Sequence, residues 1–101
     1  NKSINVFKLK NIDLIKIDIE GGEYKLIPEM ADFFNIHKPT VWLSLHAPYL
    51  PSEERKNAMQ KIISAMSCYK NCLNSKLEKI EINELSSQEN LDTYPEFLFS
   101  D

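Results

Sequence analysis

The stretch "IDLIKIDIEGGEYKLI", residues 12 to 27, reads as two structures joined at a pair of glycines. Residues 13 to 19, "DLIKIDI", predict a strand. Its side chains alternate, so Ile15, Ile17 and Ile19 share one face and Leu14, Lys16 and Asp18 the other. Apolar residues on both faces suit a strand inside a covered parallel sheet. Gly21 and Gly22 supply the freedom for a sharp turn. From Glu23 to Asn35 the spacing changes. Ile27, Met30, Ala31 and Phe34 fall at i, i+3, i+4 and i+7, an apolar helical stripe. Pro28 is tolerated near a first turn and kinks a helix further in. The carboxylates Asp18, Glu20 and Glu23 therefore gather where a strand gives way to a helix.

Working outward, "IHKP" ends the helix, and Pro39 biases His37 and Lys38 toward extended backbone. Residues 40 to 46, "TVWLSLH", predict a second strand. Val41, Leu43 and Leu45 share one side; Trp42, Ser44 and His46 share the other. The loop "APYLP" follows. Ser52 is a plausible N-cap of the next helix, with Glu53 and Glu54 in its first turn. Met59, Ile62, Ile63 and Met66 are its expected buried stripe. Strand, helix, strand, helix argues for parallel pairing with right-handed crossovers. Residues 70 to 74, 78 to 83 and 95 to 100 read as short strands without intervening helices, so they are expected to pair antiparallel. "SSQENLDTYP" is a polar connection, and "INVFKL", residues 4 to 9, is an extended lead-in.

The chain has 101 residues, enough for one small domain. A net charge of −3 with both signs dispersed argues against a nucleic-acid partner, and no apolar run reaches membrane-spanning length. The first residue is not Met, which points to a piece of a longer protein. Cys68 and Cys72, four apart in "SCYKNC", would share a face on a helix. His37 and His46 lie too far off in sequence to complete a metal site with them. Reduced, partly buried thiols of a cytoplasmic protein are the better reading.

In parallel sheets ligands bind beyond the carboxyl ends of the strands. Asp18 closes the first predicted strand and His46 the second. Neighbouring strands lie about 5 Å apart, so these two side chains can meet at one crevice edge. A carboxylate beside an imidazole makes a general-base pair. Glu23 is read mainly as a partner of the helix dipole, Glu20 as either that or a site residue, and Trp42 as core rather than a substrate platform.

These residues suggest a family. "IDLIKIDIEGGEYKLI" resembles the segment of FkbM-type methyltransferases in which D-hydrophobic-I-K-I-D leads into E-G-small-E. "PTVWLSLH" is similar to that family's next strand, with Ser44 where Glu is common, and "YPEFLFSD" is similar to its last strand. The resemblance implies an α/β, Rossmann-like class I methyltransferase sheet in the strand order 3-2-1-4-5-7-6, of which this chain would hold the C-terminal half. That half has two parallel strands with crossover helices, followed by antiparallel strands. The cofactor implied is S-adenosylmethionine. The reaction implied is O-methylation of a hydroxyl on a sugar or other small metabolite. Asp18 and His46 match the strand-end site residues and are the expected catalytic pair; Asp18, Glu20 and Gly21 are the expected cofactor-side residues. The family's glycine-rich loop after its first strand, and the acid after its second, have no counterpart in these residues. The chain is therefore expected to bind the cofactor weakly or not at all by itself.

The other reading is a non-catalytic half-fold module used for protein interaction or assembly. A hydrolase built on Asp18 and His46 finds no nucleophile motif. In the implied order, strand 13–19 leaves one edge unpaired. That edge is expected to pair with the missing N-terminal half, to self-associate, or to be covered by "INVFKL".

Overall fold

A computed structural model describes residues 3–9, 12–18 and 22–101. β1 (Ser3–Leu9) and β2 (Ile12–Asp18) form an antiparallel hairpin running from the Ser3–Asp18 pair to the Leu9–Ile12 pair. The lead-in segment is thus a full strand, and it occupies the β2 edge that the sequence left open. β2 ends at Asp18, and Ile19, Glu20 and Gly21 lie outside the described residues.

α1 (Glu23–Glu29) and α2 (Ala31–His37) replace the single expected helix. Pro28 sits inside α1 and lacks the N–H that would close its turn; two residues later Met30 leaves helical geometry. The helical spacing survives, because the Met30 N–H bonds to the Leu26 carbonyl and the Phe34 N–H to the Met30 carbonyl. Ile27 and Phe34 are fully buried, with Met30 and Ala31 packed against the core.

His37 remains helical rather than extended, and Lys38 takes the whole burden of the following proline. It adopts a left-handed conformation with φ 49°. Such a conformation costs about 1–3 kcal/mol in a non-glycine residue. The Lys38 ammonium donates to the Cys68 carbonyl at 2.7 Å and meets Asp101 at 3.3 Å, which helps hold the turn.

β3 (Thr40–Ser44) runs parallel to β2, in a register from Leu14–Thr40 to Ile17–Leu43. The strand stops two residues short of His46. A 3-10 turn over Ala47–Tyr49 leads to α3 (Ser52–Met66). Pro51, not Ser52, is the residue before the first helical turn. Ser52 is already helical, and no side chain caps that end. Met59, Ile62, Ile63 and Met66 are buried as their spacing predicted.

β4 (Asn71–Leu73) and β5 (Glu96–Ser100) complete a five-stranded sheet of order β1-β2-β3-β5-β4, both new pairings being antiparallel. The strand expected over residues 78 to 83 is not formed. Lys79 makes one isolated bridge to Leu73, and the chain then turns into a 3-10 helix over Ile82–Ser86. The polar connection contains α4 (Gln88–Asp92), whose cap is Ser87: its hydroxyl accepts from the Asn90 N–H at 3.3 Å.

The core lies on one face of the sheet. Ile15, Ile17, Val41, Leu43, Phe97 and Phe99 pack with Ile27, Phe34, Met59 and Ile62 from the helices. The alternate residues differ: Lys16 is exposed, and Leu14, Trp42 and Leu98 are only half-buried. The reading of β2 as a strand covered on both faces is therefore corrected. Trp42 is likewise no core residue; its indole N–H donates to the Glu96 carboxylate on β5.

Cys68 lies in the turn after α3 and Cys72 in β4, so the helical spacing read for them does not apply; both are free thiols. Burial, reinforced by the Glu84 carboxylate, pushes the Cys72 thiol up to about 12. The folded chain thus holds this proton where the unfolded chain, with an ordinary value near 9.0, releases it. Stability is then unaffected below about pH 9 and falls as pH rises from there toward 12. Tyr69, whose buried hydroxyl donates to the Pro39 carbonyl, is also pushed upward by burial and adds to the loss above pH 10. Urea midpoints measured between pH 8 and 11 should show this decline, and Cys72→Ala should make it shallower from pH 9. An unchanged slope would assign the alkaline loss to other groups.

Candidate functional site

Parallel pairing places the C-terminal ends of β2 and β3 side by side, with Ile17 opposite Leu43. Asp18 and Ser44 are the next residues, and both fall on the face away from the core. His46 lies two residues further on, at the entrance to the 3-10 turn, with φ −133° and ψ 49°. From there its imidazole reaches back across the strand ends. Nε2 stands 3.3 Å from Oδ1 of Asp18. The two residues singled out from the sequence therefore meet, although His46 arrives from the turn rather than from the strand.

Their exposures differ in a way that suits a proton-handling pair. The His46 side chain is 13% exposed and the Asp18 side chain 39%. The imidazole is fixed within the protein, while the carboxylate remains in reach of solvent and small molecules. A carboxylate at this position can hold the orientation of the ring. Ser44 is the buried polar residue of the region. It pairs in register with Glu96, so a carboxylate is present one strand over, engaged by Trp42.

Two residues that the sequence reading passed over complete the surroundings. The ring of Tyr49 meets His46 edge-on at 5.6 Å, and that of Tyr94 does so at 5.8 Å. The two tyrosines stand 6.0 Å apart with their planes at 89°. Both are more than half exposed. The only sequence signal was an aromatic residue flanked by proline in each of the loops "APYLP" and "TYP".

Of the other expected site residues, Glu20 and Gly21 lie outside the described residues, so the expected cofactor side is represented by Asp18. Glu23 begins α1, consistent in position with a helix-dipole role. Among the described residues, no three His, Cys, Asp or Glu side chains gather in a way that could hold a metal ion. A cavity of about 340 Å³ between Pro28, Ala31 and the α3 residues Gln60, Lys61, Ser64 and Ala65 shares no residue with the Asp18–His46 pair.

A partly parallel α/β sheet carrying an acid–imidazole pair at its strand ends fits a methyltransferase-like fold. The chain belongs to the FkbM family: the model of the methyltransferase FkbM domain matches residues 3–86, most of the chain. The matched region contains Asp18, His46 and Tyr49 and ends before α4 and β5. No curated protein and no solved structure shows significant similarity to the chain. Among the described residues, no helix is long and apolar enough to cross a membrane.

Proposed function

We propose that this chain is the acceptor-side half of an S-adenosylmethionine-dependent O-methyltransferase, acting on a hydroxyl of a sugar or small metabolite. The 3.3 Å approach of His46 to Asp18 at the paired ends of β2 and β3 carries this reading. Family membership supports methyl transfer as the reaction class. The sheet order β2-β3-β5-β4 supports the equivalence with strands 4, 5, 7 and 6 of a class I methyltransferase. In this reading β1 takes the place beside β2 that the family's first strand would hold, but runs antiparallel.

The residues present suit the cofactor's polar groups in one respect. Asp18 offers a part-exposed carboxylate at the carboxyl end of a parallel strand, where it can accept from ammonium or hydroxyl donors. Glu20 and Gly21 are proposed to line the same edge. S-adenosylmethionine supplies an electrophilic methyl group when bound. The chain's own task is to deprotonate. The acceptor hydroxyl loses its proton to His46 as its oxygen becomes nucleophilic, and Asp18 stabilises the resulting imidazolium. Burial of most of the imidazole keeps that ring in one orientation during the transfer.

The two free thiols favour a reducing, cytoplasmic setting. The proposed partner is the small-molecule or saccharide acceptor, not nucleic acid or membrane. Because β1 already pairs with β2, the outer edge of β1 is the proposed contact for the N-terminal half of a complete enzyme or for a second copy of the chain.

The reaction is tested by supplying methyl-labelled S-adenosylmethionine and a panel of saccharides and polyols to the enzyme containing this domain. Label recovered in an ether linkage on the acceptor is the expected result. Label found solely on amines or carboxylates would reject O-methylation.

A further inference from the structure

Five large apolar or aromatic side chains among the described residues are exposed: Phe33, Ile36, Tyr49, Leu77 and Tyr94. Two of them, Tyr49 and Tyr94, converge on one residue, and that residue is His46. The remaining tyrosines, Tyr24 and Tyr69, are buried. Exposing two aromatic rings to water while packing them around a candidate base has no evident benefit for folding. Aromatic faces left open beside fixed polar groups are instead what a small-molecule site uses to combine contact area with orientation.

The two rings are also held in place. The Arg55 guanidinium on α3 donates to the Leu50 carbonyl at 3.0 Å and to the Pro48 carbonyl at 3.3 Å, on either side of Tyr49. The same group donates to Asp92 at 3.2 Å, two residues before Tyr94. Asp92 is further fixed by Gln88, whose amide donates to it at 2.9 Å. On the other side of Tyr94, the Leu45 N–H bonds to the Pro95 carbonyl at 2.9 Å, tying that segment to the residue before His46. One arginine therefore joins the loop of Tyr49 to the end of α4 just before Tyr94, two segments far apart in sequence that each bring a tyrosine to the same imidazole.

We infer that Tyr49 and Tyr94 form a right-angled aromatic corner that positions a saccharide ring over the Asp18–His46 pair, the apolar C–H face of the ring resting on a tyrosine face. This inference deepens the proposed function and rests on the reading of that pair as the acceptor site. A ring seated on the His46 side of a tyrosine, about 4.5–7 Å between centres, lies next to the imidazole as well. One of its hydroxyls then falls near the imidazole. A flexible open-chain polyol has hydroxyls but no C–H face, so the corner favours the closed ring. Arg55 is a positioning residue in this arrangement, acting through the two loops.

The test is an NMR titration of the full chain that follows the His46 ring resonances. The probes are methyl β-glucopyranoside, a closed ring, and sorbitol, an open chain. The glucoside should shift those resonances, and sorbitol should do so much less. Tyr49→Leu and Tyr94→Leu should each weaken glucoside binding roughly two- to tenfold, while Tyr49→Phe and Tyr94→Phe keep it. Both positions are on the surface, so these variants spare the core. No response to the glucoside, an equal response to sorbitol, or unchanged affinity in both leucine variants overturns the platform. No methyl donor is needed, so a positive titration stands even if methyl transfer fails. Conversely, methyl transfer with unchanged acceptor KM in both leucine variants retains the proposed function and removes the platform.

Discussion

Replacing His46 by alanine is expected to lower methyl transfer about 10²–10⁴-fold, the usual cost of losing a positioned general base. S-adenosylmethionine affinity should hardly change, because the imidazole is proposed to handle the acceptor proton. Asp18→Asn should also reduce turnover, by less than the loss of the ring. The amide keeps the shape of the carboxylate but no longer supports an imidazolium 3.3 Å away. The measurement is kcat and cofactor Kd for each variant in the enzyme containing this domain, with turnover followed across pH. Near-normal kcat in both variants would make the pair structural. A collapse of cofactor binding in His46→Ala would move that residue to the cofactor side.

The largest stability effect should come from Phe99. This side chain is fully buried on β5, opposite Val41 of β3 on one side and Cys72 of β4 on the other, with its ring 6.2 Å from that of Tyr69. Phe99→Ala removes contacts with two strands at once and leaves a cavity that neither strand can close by moving alone. The expected loss is about 3–5 kcal/mol, a large part of the 5–15 kcal/mol typical of a small domain. Ile36→Ala is the matched control. Ile36 is 72% exposed on α2, and its truncation should stay within about 0.5 kcal/mol. Urea unfolding of the three chains decides this. Equal midpoints for Phe99→Ala and the native chain would mean that β5 is not part of the cooperative core.

Local pattern carried much of the architecture. Alternation marked β2 and β3, and the stripes of Ile27 to Phe34 and Met59 to Met66 marked the helical faces that are buried. These features follow from period-two and period-3.6 geometry, which depends on neighbours along the chain. The errors fell where local signals compete. Pro28 was visible, but whether it would end a helix or merely bend it depended on packing. The strand pattern around residues 78 to 83 lost to a 3-10 turn because β4 offers one bridge there and no more. Pro39 disfavoured helix at Lys38. The left-handed alternative became tolerable once Cys68 and Asp101, distant in sequence, could receive the ammonium.

The sequence by itself determined the strand before the glycine pair and the helix after it, the parallel pair of strands and the two residues that meet at their ends. Asp18 and His46 were legible because parallel pairing aligns strand ends, and a polar residue at such an end has few structural reasons to be there. Only the tertiary structure decided what surrounds them. The one-sided core arises because α1, α2 and α3 contribute Ile27, Phe34, Met59 and Ile62 to the same cluster as Ile15, Ile17, Val41 and Leu43. The approach of Tyr49 and Tyr94 to His46 depends on loop paths that no periodicity encodes. Those paths are set by a few specific bonds, chiefly from Arg55. Periodic burial is written into neighbouring residues, whereas the meeting of two loops is settled by single polar contacts across the fold.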